Sequence, residues 1–124
     1  MSQNFTKLPL SGSTDGNVIA IRATATPGTT IHTATTSTTI DGCDEVWLWA
    51  SSTSTSNINM GIQLGNLNDE MDTINVLIPP AYNGPFCVLP GVVVRNARVV
   101  QATVSVAGRV NVFGYVNRVS GQGT

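Results

Sequence analysis

The residues able to do chemistry are few and scattered. His32 is the only histidine, and Cys43 and Cys87 are the only cysteines. A thiol nucleophile activated by an imidazole would need His32 beside one of them. Cys87 lies in the apolar run Phe86 to Leu89, which reads as a buried, inert thiol. His32 lies in a Thr-rich segment, which reads as a surface imidazole. Two thiols and one imidazole do not complete a tetrahedral zinc site without a carboxylate from elsewhere. Asp41, Asp44 and Glu45 are close enough in sequence to attract a hard cation, yet Asp41-Gly42 is better explained as a turn pair. No two carboxylates are set apart as the acid and base of a glycoside hydrolase. Gly121-Gln122-Gly123 is a terminal tail, not a phosphate-cradling turn between strand and helix. The expectation is a non-enzymatic chain with no cofactor and no metal.

The aromatic residues say more. Trp47, Trp49, Tyr82, Phe86, Phe113 and Tyr115 are equipped to form a stacking platform for sugar rings or a hydrophobic contact patch. Core packing is the competing explanation. Trp47 and Trp49 share one face of an extended segment whose other face carries Val46, Leu48 and Ala50. Phe113 and Tyr115 lie opposite Val112 and Val116. Core and interface both stay open for these four side chains.

The elements that must position these residues are strands. Period-two alternation runs through Asn57–Gly65, with Ile58, Met60, Ile62 and Leu64 on one face, and through Thr73–Ile78, with Ile74, Val76 and Ile78. It recurs in Asn17–Thr26, Arg98–Val106 and Arg109–Val119. Glu45–Ala50 is apolar on both faces, which suits a central strand or an interface. Thr29–Thr39 is either an edge strand or a solvated loop, and Phe86–Leu89 is a short strand before a turn at Pro90-Gly91. These eight segments are separated by Gly, Pro, Asn, Asp or Ser turns, and none has a helical period. The fold class is therefore all-β: an antiparallel β-sandwich of about eight strands, jelly-roll-like or immunoglobulin-like. Strand count does not fix the connectivity.

Residues 1–16 read as an irregular, flexible N-terminal arm, residues 17–119 as the β-sandwich domain and residues 120–124 as a tail. Phe5, Leu8 and Leu10 are the arm's only apolar anchors, spaced to press into grooves on a neighbour. A chain of 124 residues suffices for one core without staples. No secretory signal or spanning apolar stretch is visible, so the cysteines are expected reduced and the protein cytosolic until assembled.

Only 10% of residues are charged and the net charge is −1, against about 25% charged in an average protein. The arginines Arg22, Arg95, Arg98, Arg109 and Arg118 are dispersed, which gives nucleic-acid binding little support. Asp69, Glu70 and Asp72 form the one acidic cluster, read as a solvated turn. A charge-poor surface is easily covered by a partner, because little charge must be desolvated.

The run Asp44-Glu45-Val46-Trp47-Leu48-Trp49-Ala50 follows a Thr-rich segment. Ile78-Pro79-Pro80 and Val88-Leu89-Pro90-Gly91 come mid-chain, and Val112-Phe113-Gly114-Tyr115-Val116-Asn117-Arg118 closes the protein. Together these motifs resemble small virion proteins of tailed bacteriophages, over roughly residues 17 to 119. The resemblance implies a structural protein of the virion, assembled in the host cytoplasm. Within that class it points to a capsid decoration (cement) protein, a homo-oligomer, commonly a trimer at local three-fold positions, bound to the major capsid protein. It carries no catalytic residues. The alternatives are a head–tail adaptor, tail or fibre module, or a carbohydrate-binding β-sandwich. Interface candidates are Phe5, Leu8, Leu10, Trp47, Trp49, Phe113 and Tyr115.

Overall fold

A computed structural model of the chain describes residues 3–39, 42–65 and 73–121. The described residues contain nine strands: β1 (Gln3–Pro9), β2 (Ile19–Ile21), β3 (Thr29–Thr33), β4 (Gly42–Ser52), β5 (Ile58–Leu64), β6 (Thr73–Ile78), β7 (Phe86–Val94), β8 (Val99–Val104) and β9 (Val110–Gly121). A 3-10 turn, Ala81–Asn83, leads into β7. Asp41, the acidic cluster Asp69, Glu70 and Asp72, and the last three residues of the expected tail lie outside the described residues. Among the described residues no helix is long and apolar enough to cross a membrane.

The strands form two antiparallel sheets packed face to face. The first has the order β1-β9-β4-β7, with β2 beside β1 along the same side of β9; the second has the order β3-β8-β5-β6. The pairs β2–β9, β3–β8, β4–β7 and β5–β6 nest inside one another. The chain is thus one long antiparallel ribbon folded over itself. The added pairs β4–β9 and β5–β8 then close each sheet. That nesting is jelly-roll connectivity, which settles the choice against an immunoglobulin-like order.

Alternation is what sorts the side chains. Along β4, Val46, Leu48 and Ala50 are fully buried while Trp47 and Trp49 between them are half-buried on the outer side. Ile58, Met60 and Ile62 of β5 enter the core, as do Val100, Ala102 and Val104 of β8 and Val110, Val112 and Val116 of β9. Each buried aliphatic side chain contributes about 1.5–3 kcal/mol relative to exposure. Ile74 of β6, the last strand of the second sheet, points inward but stays 41% exposed.

Three expectations need correction. The N-terminal segment expected to be an irregular arm contains a regular strand: Gln3–Pro9 is paired in unbroken register with β9, from Gln3 opposite Gly121 to Pro9 opposite Tyr115. Leu10 is only 1% exposed and belongs to this chain's own core, and Leu8 packs against that core. The first sandwich strand is only Ile19–Ile21, because the Arg22 and Ala23 amides leave the ladder to bond Thr29 Oγ1. Pro90-Gly91 is not a turn. It lies inside β7, an edge strand that tolerates a missing N–H, and the register shift beside Trp47 absorbs the extra residue.

Candidate functional site

The outer face of the first sheet gathers the aromatic residues. Antiparallel register places Trp47 opposite Tyr115 and Trp49 opposite Phe113, all four pointing away from the core. Ring centroids lie 6.3 Å apart for Trp47–Trp49, 6.4 Å for Trp47–Tyr115, 6.3 Å for Trp49–Phe113 and 6.1 Å for Trp49–Tyr115. Interplanar angles of 13–29° make the four rings near-parallel rather than edge-to-face. Each such pair adds about 0.5–1.5 kcal/mol beyond area burial. The quartet is half-buried through its own contacts and stands outside the core.

Two glycines make the face possible. Gly91 has φ of +78°, and a side-chain carbon there would lie 3.0 Å from Cζ2 of the Trp47 indole. A side-chain carbon at Gly114 would run into the Trp47 carbonyl. Gly114 therefore lets β9 approach β4 closely just where Tyr115 and Phe113 must reach the tryptophans.

Polar groups lock the margins. Glu45 accepts a 2.6 Å hydrogen bond from the Trp47 indole N–H and a 3.1 Å bond from the Asn117 amide. These bonds, the indole's first, hold the Glu45 carboxyl below its ordinary value. At the other end Ser51 donates to Asn111 Oδ1 at 2.8 Å. The ammonium of Lys7, the one lysine, sits 4.6 Å from the Tyr115 ring centroid, a cation–π contact that fixes β1 against the quartet. Phe5, 70% exposed and opposite Val119, extends the apolar surface toward the end of β1. Tyr82 is exposed on the 3-10 turn and Phe86 packs at the core margin, so neither joins the quartet.

Four of the seven interface candidates are thus brought together, and Phe5 shares their face. Leu8 and Leu10 face inward and are structural.

The chemistry-bearing residues do something the sequence did not suggest. His32 is buried, not a surface imidazole, and its Nε2 lies 2.7 Å from Asp44 Oδ2. The Ser11 N–H donates to His32 Nδ1 at 3.0 Å, so that nitrogen carries no proton and Nε2–H donates to Asp44. Arg118 clasps the same carboxylate with Nε at 2.7 Å from Oδ1 and a terminal nitrogen at 2.9 Å from Oδ2, and the Thr35 N–H adds a bond at 3.1 Å. Burial alone would raise the Asp44 carboxyl, but the hydrogen bonds from Arg118 and His32 and the charge of the guanidinium outweigh it and hold it below its ordinary value. Arg118 in turn is held more firmly charged by Asp44. This knot ties β3 of one sheet to β4 and β9 of the other.

Both imidazole nitrogens are committed to this knot, which leaves none to take a proton from a substrate. Cys43 and Cys87 are free thiols on the outer side of the first sheet, and Cys87 is exposed, not buried as the run around it suggested. A Cys–His pair is therefore not assembled. Asp44 points inward and Glu45 outward, so they do not converge on a cation, and no group of three or more potential metal ligands occurs among the described residues.

Sequence reasoning missed the His32–Asp44–Arg118 knot, although a signal was present. Asp44 shares its face of β4 with Val46 and Leu48, and Arg118 shares its face of β9 with Val116. Two opposite charges at inward positions of neighbouring strands call for a pair.

The chain matches no family model, no curated protein and no solved structure.

Proposed function

We propose that this chain is a non-enzymatic structural protein of a phage particle, a capsid decoration protein that docks on the outside of the head and stabilises it. The observation that carries the reading is the aromatic quartet Trp47, Trp49, Phe113 and Tyr115 on the outer face of the five-stranded sheet. Rigid aromatic side chains give large contact area at low conformational cost and dominate binding energy at interfaces. The surrounding groups are mostly uncharged, and the two charges on the face, Lys7 and Glu45, already have partners within the chain. Covering such a face removes little unpaired charge from water. A jelly roll occurs in capsid and lectin domains alike, so the fold supports the reading without deciding it. The phage role itself rests on the resemblance in the strand motifs. The partner under this reading is the major capsid protein.

The test is co-sedimentation with heads of the encoding phage prepared without this protein. The wild-type chain is expected to pellet with heads, and Trp49→Ser/Tyr115→Ser to lose at least tenfold in affinity while keeping its β-type circular dichroism. Failure of the wild type to pellet removes the decoration role. The same quartet favours sugar binding as the second reading; glycan-array binding lost in the double variant, without head binding, would select it.

A further inference from the structure

We infer that one end of the sandwich carries a second binding site, a cleft for a carboxylate-bearing sugar, in which Arg109 takes the carboxylate and the loop 53–57 takes the ring hydroxyls. Four loops meet at this end, each described throughout: 22–28, 53–57, 79–85 and 105–109. They hold Arg22 and Arg109 and no aspartate or glutamate. In a chain of net charge −1 this end is locally positive, which draws an anion toward it before contact. Backbone hydrogen bonds fasten the loops to their neighbours. The Thr53 N–H donates to the Arg109 carbonyl at 2.7 Å, the Ala81 N–H to the Ser54 carbonyl at 2.8 Å, and the Gly108 N–H to the Ile21 carbonyl at 3.0 Å.

Among these loops lies a cleft of about 390 Å³, lined by residues 53–58, Val106 and Arg109. Small-ligand sites run from roughly 300 to 1,000 Å³. The side chains from Thr53 to Asn57 are four hydroxyls and a carboxamide in unbroken succession. Such groups both give and accept hydrogen bonds, as the hydroxyls of a sugar do. The Ser56 N–H donates to Ser54 Oγ at 3.1 Å, which orients that hydroxyl, and an accepting hydroxyl still carries a proton to give. Buried Ile58 and half-exposed Val106 supply apolar surface for the C–H edges of a ring.

Arg109 selects the acid group. Its side chain is exposed and forms no ion pair among the described residues. A single guanidinium presents a planar fork that matches a carboxylate through two parallel hydrogen bonds. Phosphate sites draw instead on several cations or a nest of backbone amides. Arg22 does not line the cleft: its terminal nitrogen lies over Gly108, 3.4 Å from where a side-chain carbon there would sit. The ligand that fits therefore has one carboxylate and several hydroxyls, as in the uronic acid units of polysaccharides. The cleft sits on loops at the end of the sandwich, apart from the aromatic face. It does not rest on the capsid reading, and it differs from a sugar stacked on the quartet.

The test is a titration of the full, nitrogen-15-labelled chain with sodium D-glucuronate, followed by amide NMR. Glucuronate is expected to shift the amides of residues 53–57 and 105–109, with a dissociation constant of about 1 mM, ordinary for so small a ligand. D-Glucose, acetate and inorganic phosphate each lack part of the match and are expected to bind at least about tenfold more weakly. Arg109→Gln changes an exposed side chain. It is expected to weaken glucuronate binding at least about tenfold, to the level of glucose, with unchanged circular dichroism. Phosphate or acetate binding as tightly as glucuronate would reduce the cleft to a plain anion site and overturn the inference. Equal binding of glucose, or an Arg109→Gln variant that keeps the wild-type affinity, would remove the arginine's role and overturn it too. So would the absence of any shift at tens of millimolar glucuronate, or shifts centred on the aromatic face of β4 and β9.

Discussion

Removing the Asp44 carboxylate should cost this small sandwich a large part of its stability. In Asp44→Ala four hydrogen bonds vanish: two from Arg118 and one each from His32 and the Thr35 amide. Arg118 is 34% exposed and can turn to water, which limits its share of the loss. His32 is 1% exposed, and its Nε2–H would be left without a partner between the sheets. An orphaned buried donor costs about 1–3 kcal/mol, and breaking a buried ion pair by deleting one partner costs about 3–5 kcal/mol. A loss of about 3 kcal/mol follows, against a total of about 5–15 kcal/mol for a typical domain. For a chain of this length that lowers Tm by roughly 10 °C. Urea and thermal unfolding followed by circular dichroism would measure it. The pH dependence gives a second readout. The Asp44 carboxyl is held below its ordinary value in the folded state. Its contribution is therefore full above the unfolded value of about 3.9 and is lost as pH falls from there through the folded value. Asp44→Asn should flatten stability across that acid window. A loss under about 1 kcal/mol in Asp44→Ala, with an unchanged acid limb in Asp44→Asn, would refute the reasoning.

Three further outcomes are expected. Leu10→Ala should destabilise the fold by about 2–5 kcal/mol in urea unfolding, since Leu10 is a core residue; no loss would restore the independent arm. Gly114→Ala should cost at least about 1–3 kcal/mol, because the new methyl meets the Trp47 carbonyl, and near-ultraviolet circular dichroism should report a disturbed tryptophan environment. Under native conditions an alkylating reagent should modify Cys87 before Cys43, as only the former is exposed; the reverse order, read by peptide mass spectrometry, would contradict the orientation of β7.

Where alternation is strict, the sequence predicts the structure closely. The inward sets of β4, β5, β8 and β9 follow from period two alone, and so does the shared outer face of Trp47 with Trp49 and of Phe113 with Tyr115. Register then brings the two pairs together, and register depends on partners more than sixty residues away in sequence. β1 escapes detection because Asn4 to Lys7 are exposed on both faces, so no apolar alternation marks it. Pro90-Gly91 reads as a turn because local propensity favours one, yet an edge strand with a bulge satisfies the same residues. His32 reads as solvated because its neighbours are threonines. Its partners are 12, 21 and, through Asp44, 74 residues away, beyond any local pattern.

The central claim is that the aromatic sheet face holds this chain on a phage head, and a reconstruction of the encoding phage's particle tests it most directly. The account predicts jelly-roll density on the outer capsid surface, with the β4–β9 face and Trp47, Trp49, Phe113 and Tyr115 against the major capsid protein. Density for the chain only at the neck, tail or fibres, or on the head with that quartet facing solvent, would contradict it.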